Sequence, residues 1–131
     1  MDVEVELSRI VINETSDQQI IVLKERNGQR SFPIVIGIFE IFAIDRRLKG
    51  IIPPRPMTHD LLDSVIEGLG ARIERILITD LTNHTFYAKI ILSMKEKVVE
   101  IDSRPSDAIA LGVASNAPIF VAEQVFDKTS Q

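Results

Sequence analysis

Twice in this chain three strand-forming segments precede one helix-forming segment. The second run lies 67 residues after the first, the offset that takes Glu40 onto Asp107. The same offset takes Ile34 onto Ile101, Ala43 onto Ala110 and Ile44 onto Leu111. Few identities survive, so the repeated element order carries the argument. Strands that come in runs, broken by single helices, do not build a doubly wound parallel sheet. The expectation is an α+β fold with a mainly antiparallel or mixed sheet, three principal helices and an internal duplication of a β-β-β-α unit.

Local patterns place the elements. Val3, Val5 and Leu7 alternate with Glu4, Glu6 and Ser8, the period of a half-buried strand, and the run continues through Ile10-Val11-Ile12. Asn13 to Asp17 are turn formers. Ile20 to Leu23 makes the second strand, Asn27-Gly28 a hairpin turn, and Ser31 to Ile36 a third strand whose Pro33 suits an edge. A helix over 38–49 has apolar residues on more than one face and is expected to be buried on several sides; Gly50 stops it. After the proline-stiffened loop Ile51 to Met57, Thr58 is expected to cap a helix over 59–68 with one apolar stripe: Leu61, Leu62, Val65, Ile66 and Leu69. Three strands follow, near 71–81, 84–93 and 97–101. A helix over 105–114 is closed by Asn116, and a short strand from Pro118 leads into a helical turn ending at Phe126. One domain over 1–126, with a frayed tail over 127–131, is the expected organisation.

Composition narrows the function classes. With no cysteine, the chain has no disulfide, thiolate zinc site or cysteine nucleophile. Its two histidines, His59 and His84, exclude a three-histidine zinc site within one chain. Any metal would lean on carboxylates, which favours a hard cation such as Mg or Mn. No organic cofactor motif is evident. The net charge of -4 denies the chain a global attraction to nucleic acid, so such binding needs a local basic patch or a bridging cation. No apolar stretch is long enough to span a bilayer, and the start, Met1-Asp2-Val3-Glu4, does not read as a signal peptide; a soluble, cytoplasmic protein is expected. Apolar richness and unpaired sheet edges point to a homodimer or higher homo-oligomer.

Polar chemistry concentrates at two expected helix starts. The run Asp102-Ser103-Arg104-Pro105-Ser106-Asp107 packs two carboxylates, a guanidinium and two hydroxyls between a strand ending at Ile101 and an apolar helix. It reads as a capped helix start, with Ser103 or Ser106 capping and proline in the first turn. The same geometry also reads as an anion or cation site. Arg55-Pro56-Met57-Thr58-His59-Asp60 brings a histidine and a carboxylate beside an arginine. Glu40 stands in an otherwise apolar first turn, and the internal repeat would set it facing Asp107. Arg46, Arg47, Lys49 and Arg55 form the best phosphate-contact patch in the chain.

Four segments, in order, resemble the bifunctional nuclease (BFN) domain family in its single-domain bacterial form. They are Pro33 to Gly37 followed by Glu40, Arg55 to Leu61, Thr85 to Ala88, and Asp102 to Leu111. Ile41 and Phe42 stand where the family more often has a smaller residue. The resemblance covers about residues 3–126 and implies a compact α+β domain and, for some members, hydrolysis of both DNA and RNA. Residue chemistry then suggests roles for a nuclease of little sequence preference. A divalent cation on Asp102, Asp107, Glu40 and Asp60 would polarise phosphate and activate water. Arg104 and Arg55 would offset transition-state charge, and His59 would shuttle a proton. Asp102, Asp107, His59 and Arg104 are thus the catalytic candidates; Arg55, Arg46, Arg47, Lys49 and Ser106 are the substrate-binding ones. The rival readings are a non-catalytic anion- or nucleotide-binding module and an oligomeric interaction domain.

Overall fold

The computed structural model describes residues 1–13 and 15–130; of the segments named above, Glu14 in the first turn and Gln131 in the tail lie outside them. In chain order the elements are β1 (Asp2–Val11), β2 (Gln19–Glu25), β3 (Ser31–Ile36), α1 (Ile38–Leu48), α2 (Thr58–Gly68), β4 (Ala71–Thr82), β5 (Thr85–Met94), β6 (Lys97–Ser103), α3 (Pro105–Ser115), β7 (Ile119–Ala122) and α4 (Glu123–Thr129). The fold is α+β. All seven strands join one sheet in the order β3-β2-β1-β7-β4-β5-β6. Every neighbouring pair is antiparallel except β4 and β7, which run parallel. The two three-strand runs therefore flank β7, each leading into its own helix. That layout matches the repeated element order of the sequence without establishing a duplication.

Alternation explains which face of each strand turns inward. Phe32, Ile34 and Ile36 of β3 are buried while Ser31, Pro33 and Val35 between them are exposed. Pro33 lies on an edge strand, where its missing N–H leaves no ladder bond unmade. In β1 a bulge between Leu7 and Arg9 resets the alternation, so Ile10 follows Leu7 toward the core. The sheet curls far enough for Phe32 of β3 to stack on Phe86 of β5, with ring centroids 5.6 Å apart. Phe126 of α4 meets Phe32 edge-on at 5.3 Å. Gln19 is fully buried, and its amide satisfies itself on the backbone of Asn13 and Ser16.

Several local expectations change. α1 buries only Ile41 and Ile44, and Phe39 is 82% exposed, so the helix is not enclosed on several sides. α2 begins at Thr58, with Met57 as its cap residue, because the Asp60 carboxylate accepts the Met57 N–H at 3.0 Å. β6 continues past Ile101 to Ser103, since pairing with β5 persists as far as Ala88 opposite Ser103. α4 makes a fourth helix and runs beyond Phe126 to Thr129, where Lys128 lies 2.7 Å from Asp80.

α3 is the helix on which α1 and α2 rest. Eight of its eleven residues are buried, and it packs on α1, α2, β4 and β5. Gly112 allows the close approach to β4: a Cβ there would lie 2.7 Å from Cγ1 of Ile76, which is itself fully buried. Alanine at a helix interior normally gains about 1 kcal/mol over glycine. Here overpacking of a β-branched core residue outweighs that gain. Gly112→Ala is expected to destabilise the fold by about 1–3 kcal/mol, seen as a lower urea midpoint with an unchanged slope.

Candidate functional site

The first turn of α3 is the one part of that helix that reaches solvent with charge. Arg104, in extended conformation, is the cap residue; Pro105 opens the helix; Asp107 completes its first turn. No side chain caps the free amides, and Ser103 Oγ instead donates to the Arg104 carbonyl at 2.8 Å. The expected serine capping is therefore absent. The same turn geometry recurs in α1, where Gly37 precedes the helix and Glu40 completes the first turn. The Glu40 carboxylate folds back over Gly37, so a Cβ at residue 37 would lie 2.8 Å from Oε1.

Four side chains converge between these helix starts. Asp107 Oδ2 accepts from Arg104 Nε at 2.9 Å and lies 2.7 Å from its terminal nitrogen. Asp107 Oδ1 is 3.1 Å from His59 Nε2, a contact brought in by α2 from 48 residues away. The same Arg104 nitrogen sits 3.8 Å from Glu40 Oε1. Exposure divides the roles: Glu40 is 12% open and His59 16%, whereas Arg104 is 69% open and can meet a ligand. Hydrogen bonding and charge from Asp107, opposed by partial desolvation and aided by Glu40, raise the Arg104 pKa, so the guanidinium stays charged.

Two clefts flank this cluster. A cavity of about 250 Å³ between α1 and α2 is lined by Phe39, Arg46, Arg47 and His59. On the other side a wider cleft of about 540 Å³ opens between β3 and the β4–β5 turn, lined by Glu40, Arg104, Ser106 and His84. His84 and Gly37, which line this cleft, were not among the site candidates read from the sequence, although Gly37 ends the segment Pro33 to Gly37. His84 follows Asn83 in a tight turn, and both have positive φ, 65° and 52°. That Asn-X turn between two strands was the available signal.

The remaining candidates do not join the cluster. Asp102 is exposed on β6, opposite Lys89 of β5. Asp60 is taken up by the Met57 amide, and Lys49 lies 2.9 Å from Asp45. Arg47 donates to the Ala114 carbonyl at the C-terminal end of α3. Arg55 is exposed on the loop before α2. Among the described residues no three of His, Asp and Glu are grouped to hold a metal ion. The two carboxylates that do approach each other, Glu40 and Asp107, already share Arg104 as their cation, and both Asp107 oxygens have partners. The donor set expected for a hard cation therefore does not gather at one point in this arrangement.

Known proteins are similar to this chain in sequence. A family model described as the bifunctional nuclease domain matches residues 21–131. An uncharacterized protein of Mycobacterium tuberculosis is 38% identical over 122 residues, covering 93% of this chain and 73% of the mycobacterial one. Bifunctional nuclease 1 of rice, Oryza sativa, is 24% identical over 118 residues, 87% of this chain and 36% of the rice protein. Bifunctional nuclease 2 of Arabidopsis thaliana is 26% identical over 105 residues, 77% of this chain and 32% of the plant one. The chain thus spans about a third of each plant protein.

Since α2 delivers His59, the charges beneath it bear on the site. Burial first, then the neighbouring Glu67, raise the Asp63 pKa; Arg47 opposes the shift and Asp60 adds to it. A carboxyl group that binds its proton more tightly folded than unfolded favours the fold in acid, and that contribution is lost as pH climbs through the folded value. Asp63→Asn is expected to raise the melting temperature at neutral pH. The gain should vanish below the ordinary aspartate value of 3.8, as thermal melts at both pH values will show.

Proposed function

This chain belongs to the bifunctional nuclease domain family, and from that premise we propose that it hydrolyses the phosphodiester bonds of DNA and RNA, with little sequence preference, at the Arg104–Asp107–His59 cluster. The observation that supports this most is the sharing of one carboxylate: Asp107 holds an exposed guanidinium on one oxygen and an imidazole on the other. Arg104 binds the phosphate, where charge grows in the transition state. Glu40 lies behind it and sets the direction of the guanidinium. Asp107 orients the His59 ring through Nε2, leaving Nδ1 as the proton-transfer atom. In hydrolysis water adds its oxygen to phosphorus, the P–O bond to the leaving oxygen breaks, and that oxygen takes a proton. His59 serves one of the two proton transfers. Arg46, which lines the cavity beside His59, and the exposed Arg55 are the remaining candidates for phosphate contact, while Lys49 and Arg47 are tied to their own neighbours.

Purified protein incubated with labelled DNA and RNA, with Mg²⁺, Mn²⁺ or a chelator, tests the activity and decides whether a hard cation takes part. Asp107→Asn and His59→Gln are expected to lower cleavage by about 10²-fold or more while circular dichroism shows a native fold. Arg104→Ala should weaken binding to a non-cleavable phosphorothioate strand, and parent affinity should fall as salt rises. Cleavage by Asp107→Asn at the parent rate would assign the activity to a contaminant. Binding without cleavage under every cation would make the chain an anion-binding module instead.

A further inference from the structure

Helix α2 is mounted with its polar side inward. His59, Asp60, Asp63 and Ile66 are half-buried against the body, whereas Leu61, Leu62, Val65 and the following Leu69 are exposed, and no residue of α2 is fully buried. Those four leucine and valine side chains keep 42–74% of their surface open, and Met57 keeps 47%. Met57, Leu61, Val65 and Leu69 recur every fourth residue, which aligns them as one ridge on the outward face. Amphipathic helices turn such a stripe toward a core; here it faces solvent.

We propose that the stripe is covered by the same stripe of a second copy of this chain, in a two-fold dimer whose α2 helices cross near Val65. Charge argues against other surfaces. α2 itself carries no lysine or arginine. Arg46 and Arg47 lie in the adjoining cavity and Arg47 is tied to the Ala114 carbonyl, so the ridge lacks the row of cations an anionic bilayer or a polyphosphate would require. Its acids, Asp60, Asp63 and Glu67, sit on the far side of the helix from the ridge, so a two-fold pairing brings no like charges face to face. Area argues for a copy of the same size. Large apolar side chains offer on the order of 100 Å² each, so five that are about half exposed present roughly 300 Å². Phe39 and Ile51, which line the cavity beside Met57 and are themselves exposed, add roughly 130 Å². The total approaches the apolar part of the ~800 Å² that each partner gives to a standard interface. A partner on the outer face of α2 also presses its inner face onto α3, and so holds His59 on Asp107.

The chain has no cysteine, so a single introduced thiol reports on the contact. Parent protein at high micromolar concentration should show a dimer mass by light scattering. Val65→Cys should form a covalent dimer on mild oxidation, whereas Glu100→Cys on the β6 edge should not. Leu61→Glu should give a monomer mass with an unchanged circular dichroism spectrum, because Leu61 is 56% exposed and stands outside the core cluster of its own chain. A monomeric parent, an uncrosslinked Val65→Cys, or a Leu61→Glu variant of parent mass would each overturn the proposal. Crosslinking through Glu100→Cys alone would move the interface to the sheet edge and overturn it as well.

Discussion

Helix α3 lies against α1, α2, β4 and β5, and its buried residues run without a break from Ala108 to Gly112. A helix enclosed this way cannot shift without breaking apolar contacts on several sides at once, which gives its ends fixed positions. Gly112 sets its distance from β4. Asn116, in the left-handed conformation, terminates it, and Arg47 of α1 satisfies the Ala114 carbonyl near that end. Only the first turn is left to present charge to water, so whatever chemistry α3 supports occurs there.

Two helix starts meet at that point, and each carries an acid in its first turn. The positive end of a helix favours a carboxylate, which accounts for Glu40 and Asp107 separately. Brought together they would repel each other. Arg104 lies between them and removes the conflict, at 3.8 Å from one and 2.7 Å from the other. The cluster is thus an electrostatic necessity of packing α1 against α3. Its exposed guanidinium and its histidine contact are what exceed that necessity, and they support the catalytic reading. The Arg104 guanidinium, 69% open, is the part of the cluster a ligand reaches first.

Much of the architecture was legible in short-range pattern. Alternation marked the strands, Asn27-Gly28 and Thr82-Asn83 marked hairpins, and Pro33 marked an edge, because strand faces and turn geometries are set by a few adjacent residues. The 67-residue offset that matches Glu40 with Asp107 agrees with their sharing Arg104, without establishing a duplication. The position of Asp102 was misread, since the end of β6 depends on how far β5 continues beside it. The fate of Asp60 was hidden for a smaller reason: an acid in a first helical turn reads the same whether it faces a cleft or bonds the amide three residues back.

By itself, then, the sequence determined most of the elements and the polar segments worth testing, which rest on periodicity and local backbone chemistry; it put the most enclosed helix at α1, whereas the fold encloses α3. Tertiary structure alone decided that α2 turns its leucines outward and that His59 reaches Asp107 across 48 residues. A helical stripe announces that it will be covered but not by what, because burial is a property of the whole assembly and a single helix face cannot distinguish its own core from that of a partner.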